Sequence, residues 1–177
     1  MTEVITFTDT AGHAQPARDG ATNTTETKIA ASGTITRDGH DDAEHADTST
    51  VAFHSDRIVG GLAKGSASHT VSGTSAGTEM TVGTSDSVHF TSLRTIGDTT
   101  TGLVIPIQDG RPTFPTAGTV IRSMSVTVTM GSGTPTTASR REVITYDGTS
   151  TAKVVITKNG TTQNCTLPLP HGRLTCS

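Results

Sequence analysis

The sequence predicts an all-β protein: an antiparallel meander of long, Thr-rich strands and short hairpin turns, forming a sandwich or a curled sheet or flattened barrel. Three observations predict it. Threonine supplies 38 of the 177 residues and serine 16. The branched Cβ of Thr favours strands while offering a core only one methyl. Alternating Val/Ile runs recur along the chain, and no segment carries the apolar stripe of a helix. Finally, turn-forming pairs stand between such runs at Asp109-Gly110, Asp147-Gly148 and Asn159-Gly160. At least eight strands and no helix longer than two turns are expected.

The elements follow in order. Residues 3–8 (EVITFT) alternate and read as a first strand; residues 9–25 are polar and read as a loop. Residues 28–39 (KIAASGTITRDG) form a strand ending in an Asp-Gly turn signal. A charged connection over 40–47 leads to a strand over 49–61, which is stopped by paired glycines. Residues 65–102 alternate weakly and resemble polar hairpin arms more than core strands. The apolar segment 102–110 contains Pro106, which argues for an edge or a bulge. RPTFPTAG over 111–118 is an irregular bridge. In 119–130, Val120, Arg122, Met124, Val126, Val128 and Met130 share one face. Strands over 141–148, 152–160 and 161–169 close the meander, the last two joined by a type I′ turn at Asn159-Gly160. The length suits one domain over 1–177; the irregular bridge allows a subdivision into 1–110 and 118–177.

Composition narrows the function classes. Hydrophobic content is 31% and charged content 16%, both below globular averages, yet repeated alternation argues against a disordered chain. A net charge of −3 gives no electrostatic case for nucleic acid. No apolar run is long enough for a transmembrane helix. One Tyr and no Trp are a poor supply for the aromatic girdles of a membrane barrel. The opening MTEVITFTDTAG lacks the basic and apolar regions of a signal peptide. It reads either as an initiator Met ahead of a mature chain or as the start of a cytoplasmic protein.

Two cysteines, Cys165 and Cys176, flank a Pro170-His171-Gly172 turn signal. Such a turn brings them opposite each other, and a disulfide there would contribute roughly 2–3 kcal/mol. Two reduced thiols are the alternative. The disulfide points to an oxidising compartment, hence a secreted or cell-envelope protein; a bacterial source is the preferred reading.

Chemical signals are sparse. Asp9-Thr10-Ala11-Gly12 matches a phosphate-sensing element of nucleotide switches, but no Gly-rich loop with Lys precedes it, so it reads as a turn. Gly73-Thr74-Ser75-Ala76-Gly77 fits GxSxG without the strand-to-helix context of a nucleophile elbow, and also reads as a turn. Residues 38–47 concentrate metal-capable groups: His40, Asp41, Asp42, Glu44 and His45. Their carboxylates suit calcium and their imidazoles a transition metal, though no regular motif is present. A solvated loop that guards neighbouring strands is the simpler account. His54, His69 and His89 fall in or beside strands and meet only if the register aligns them. Asn23, Asn159 and Asn164 begin N-x-Ser/Thr patterns, which are silent in a bacterial source. Lys153 and Lys158 flank an apolar run as solvated or edge-guarding charges.

The expectation is therefore a non-catalytic extracellular or cell-envelope protein with a structural, adhesive or self-assembly role through sheet surfaces and edges. A metal-binding module using the 38–47 loop, with hydrolysis as a candidate activity, is the alternative. No cofactor, nucleic-acid partner or integral membrane insertion is expected. Self-association through strand edges is expected, and no surface ligand is specified.

Overall fold

The computed structural model describes residues 1–37 and 46–177. The strands are β1 (Thr2–Asp9), β2 (Ala14–Gln15), β3 (Thr22–Arg37), β4 (Asp47–Gly60), β5 (Ser68–Ser85) and β6 (Val88–Gln108), then β7 (Arg111–Pro112), β8 (Ala117–Met130), β9 (Thr136–Tyr146), β10 (Thr151–Lys158), β11 (Thr161–Pro168) and β12 (Thr175–Cys176). They form a 12-stranded sheet in the order β12-β11-β10-β9-β8-β6-β5-β4-β3-β1-β2, with β7 attached to β6. Every pairing is antiparallel. The all-β meander is thus the fold. It is not closed into a tight barrel, and the extensive strand-to-strand contacts all lie between ladder neighbours.

Tight turns set the register. Asn159-Gly160 and Asp109-Gly110 take left-handed φ values of 48° and 83°, and of 52° and 74°. Each joins directly paired residues, Lys158 to Thr161 and Gln108 to Arg111, as two-residue type I′ turns do. Asp86-Ser87 makes a third, with φ of 50° and 63°, between the paired Ser85 and Val88. Asp tolerates the left-handed region through local hydrogen bonding. The segment 65–102 is therefore a hairpin, as its pattern suggests, but its arms β5 and β6 are central and are the two longest strands.

Irregularities are placed where the sequence marks them. The β6–β8 ladder shifts register between Thr101 and Val104. Gly102 and Gly118 meet there with φ of 57° and 105°; a Cβ on Gly118 would lie 2.5 Å from the Gly102 carbonyl oxygen. Pro106 falls just past this bulge and past the last β6–β8 pair, where its missing N–H breaks no rung to β8.

Residues paired across an antiparallel ladder share a face. One face carries the row Ala31–Phe53–Gly77–Ile96–Met124 and the row Val120–Ile144–Val154–Cys165. The other carries Ala30–His54–Ala76–Gly97–Ser123 and directly opposed threonines: Thr78–Thr95, Thr74–Thr99, Thr119–Thr145, Thr127–Thr137 and Thr157–Thr162. Thr127 and Thr137 hydroxyls are 2.9 Å apart, and those of Thr157 and Thr162 3.1 Å.

Buried apolar side chains gather at one end of the Phe53 face. Val120, Ile144, Ala152, Val154, Ile156 and Cys165 form the core, with Leu103, Tyr146, Leu167 and Leu169 packed against it. Cys165 and Cys176 are register partners and are disulfide-bonded.

Candidate interaction surface

Exposed apolar side chains are spread over the central strands β3–β6 and their neighbours β1 and β8. Total accessible area is 11252 Å². A compact chain of 18.2 kDa would expose about 8,100 Å². Apolar side chains account for part of the excess: Ile35, Met80, Val82, Val88, Leu93, Ile96, Met124 and Met130 are all exposed. Small side chains are the reason. On the Phe53 face, Gly77 stands between Phe53 and Ile96, and a Cβ there would sit 3.3 Å from the ring and 3.2 Å from Ile96 Cγ1. Phe53 and Ile96 lean over the bare backbone, as large residues beside sheet glycines do. They edge a shallow hollow of about 120 Å³ with Val51, Glu79 and Arg94. On the opposite face, Ala30, Ala52 and Ala76 floor a wider depression of about 460 Å³, beside His54, Thr78 and Thr95.

Ion pairs cross the Phe53 face like rungs. Glu79 and Arg94 are 3.7 Å apart, and Asp98 and Arg122 3.5 Å. Glu142 is in contact with Arg140. On the threonine face, Lys28 bridges Glu26 at 2.8 Å and Asp56 at 3.7 Å. Hydrogen bonding from Lys28 holds the Glu26 carboxyl below its usual range, and Glu26 in turn raises Lys28. These pairs keep charge balanced across both faces without creating a single-sign field.

The sequence signals for chemistry separate in space. Asp9 closes β1: its Oδ1 accepts from Ala11 N–H at 2.8 Å and from His13 N–H at 2.9 Å. The DTAG segment is thus a turn. The GxSxG segment is not a turn: Gly73 to Gly77 lie inside β5, next to a bulge between Val71 and Gly73. Its glycines serve close approach, since a Cβ on Gly73 would be 2.4 Å from the Asp56 carbonyl oxygen. Ser75 opposes Ser55 and Asp98 in the ladder, with neither an elbow nor a helix behind it.

The three strand histidines do not converge. His54 opposes Ala30 and Ala76 in mid-sheet. His69 bonds the Gly61 carbonyl through Nδ1 at 2.9 Å. His89 reaches Thr84 Oγ1 at 3.2 Å, at the far end of the β5–β6 hairpin. The metal-capable residues His40, Asp41, Asp42, Glu44 and His45 lie outside the described residues. Among the described residues, no group of three or more His, Cys, Asp or Glu side chains could hold a metal ion, and no helix is long and apolar enough to cross a membrane. Asn159 is a turn residue whose Oδ1 accepts from Ser139 N–H at 2.7 Å. Lys153 pairs with Asp147 at 2.8 Å on the surface.

The edges are stepped, a feature the sequence could not show. β1 reaches along β3 only as far as the Thr2–Ala30 pair. Beyond it, among the described residues, no strand covers the outer side of Ala31–Arg37. At the other edge, β12 covers only Cys165 and Thr166 of β11.

Fold and surface together define a class: an open-faced antiparallel β protein whose accessible features are sheet faces and edges. No family model, curated protein or solved structure matches the chain.

Proposed function

We propose that this is a non-catalytic structural or adhesive protein of the cell envelope or extracellular space, which works by associating through its sheet faces and edges. The accessible area carries the reading. The chain exposes roughly 3,000 Å² more than a compact chain of its mass. A standard protein–protein interface takes only about 800 Å² from each partner. Exposed apolar residues on both faces support the reading, since contiguous apolar surface left in water marks interaction sites in folded proteins. The disulfide supports an oxidising compartment. Hydroxyl-lined and ion-paired faces suit reversible, wet contacts better than a permanent apolar seal.

Sedimentation velocity across a wide concentration range tests the proposal. The expected result is concentration-dependent association that persists in moderate salt. A protein that stays monomeric throughout, and that captures neither surface glycans nor envelope material, would remove it.

A further inference from the structure

We infer that the outer edge of β3 over Ala31–Arg37 is a two-fold pairing site for a second copy of this chain. The inference rests on the assembly reading above and specifies where the assembly begins.

An uncovered strand edge presents alternating N–H and C=O groups that pair readily with another strand. Natural edges are usually guarded by charge, proline or brevity. The outer edge of β1 carries Glu3, and the stretch of β11 ahead of its pairs with β12, Thr161–Asn164, is only four residues long. The Ala31–Arg37 edge, ASGTITR, is uncharged and free of proline until its last residue. It is also continuous, since β3 pairs regularly with β4 along this whole stretch.

Side chains select the occupant. In an antiparallel pair of identical strands, opposed residues lie on the same face, so a two-fold axis must pass beside one residue. The midpoint of the uncovered edge is Thr34. With the axis there, Thr34 faces Thr34 of the copy, Ile35 faces Gly33 and Thr36 faces Ser32. Each large side chain meets a small one. Ile35 is 54% exposed, and nothing lies within 4 Å of a Cβ position on Gly33. The copy's Ile35 therefore has vacant backbone to cover, as Phe53 and Ile96 cover Gly77 within the sheet. Both Ile35–Gly33 contacts fall on the Phe53 face, so the apolar faces of the two copies become continuous. Shifting the axis to residue 33 would bring Arg37 against the stretch already occupied by β1; shifting it to residue 35 would oppose Arg37 to Gly33 and set Ile35 against its own copy.

Single cysteine variants test the register. Thr34→Cys places two thiols directly opposite in a hydrogen-bonded pair, with Cβ atoms about 5.5 Å apart, too far for an unstrained disulfide. A short bis-methanethiosulfonate reagent should then give a covalent dimer. Ile35→Cys and Thr36→Cys face Gly33 and Ser32 of the copy and should crosslink progressively less. Thr34→Pro removes a ladder donor and should weaken association of the otherwise folded protein by more than about tenfold in sedimentation, with unchanged far-UV circular dichroism. An associating wild type whose Thr34→Cys form does not crosslink, or crosslinks no better than Thr36→Cys, would overturn the edge site while leaving assembly intact. A wild type that never associates would overturn the assembly reading itself.

Discussion

The strands β8–β11 and the strands β3–β6 use the same ladder and the same alternation, yet only the first group has a core. Among the described residues, all the buried apolar ones, from Val120 to Cys165, lie in β8–β11. Ala152 is 0% exposed and Val154 3%. In β3–β6 the corresponding rows hold Gly77, Ala31, Ser55 and Ser75, and their large neighbours Phe53 and Ile96 stay half-buried or exposed. The difference is one of side-chain volume. Val and Ile opposed to Val and Ile form a layer against which Leu103, Tyr146, Leu167 and Leu169 pack. Ala, Gly and Ser cannot exclude water across a sheet of that breadth. Hydrogen-bonded order and a sealed interior are thus separable, and the centre of this sheet has the first without the second.

The sharpest way to break that contrast is truncation at matched sites. Ile144→Ala should destabilise by about 2–4 kcal/mol, as buried large-to-small changes do, measured by urea denaturation. Ile96→Ala should stay within about 0.5 kcal/mol, because its side chain is already wet. Equal losses at the two positions would show that β3–β6 has an interior of its own. Replacing both Cys165 and Cys176 by Ser should cost about 2–3 kcal/mol, from the chain entropy released on opening the short loop. That loss should appear chiefly in β10–β11, adjoining the core. Amide hydrogen exchange then sharpens the comparison without mutation: β8–β11 should exchange more slowly than β3–β5 in dilute solution, since opening there exposes packed apolar surface. Rising protein concentration should slow exchange selectively at Ala31–Arg37 if the β3 edge pairs.

The smallest expected effect is a pH response at the β9–β10 turn. Hydrogen bonds from Lys153, then from Thr149, hold the Asp147 carboxyl down to about 2, against 3.8 when unperturbed. A depressed carboxyl contributes stability above its unfolded value and loses it as the pH falls through the folded value. The contribution should therefore fade between about pH 4 and pH 2, and Asp147→Asn should flatten that limb. The group is solvent-exposed, so the change should be slight and should shrink further in high salt.

Much of this fold was legible in the chain because its signals are local. Alternation and the turn pairs at 109–110 and 159–160 fix strands and register without reference to anything distant, and the Pro170-His171-Gly172 signal brought the cysteines together correctly. The GxSxG stretch misled because glycine is ambiguous: it marks turns, but also places where a neighbouring strand leaves no room for a Cβ, and only the ladder distinguishes them. Asp86-Ser87 was missed as a type I′ turn because it lacks the glycine that usually reveals one. Sheet coverage was illegible for another reason. Whether Phe53 or Ile96 is covered depends on which strands stand beside them and on what caps the layer, which is a property of strand order. The stepped β3 edge depends likewise on the relative lengths of β1 and β3 once paired.

One consequence of the neighbour-only topology concerns cooperativity. Each strand leans on the two beside it and on little else, so the sheet behaves as a one-dimensional array whose local stabilities add along the row. Such an array need not melt all at once. Fraying can start at the β1–β2 flank and advance inward until it meets the Val120–Val154 block, which then acts as a stop. Calorimetric and van't Hoff enthalpies should accordingly disagree, and the partly frayed form would keep its disulfide-pinned end folded while offering fresh strand edges to its neighbours.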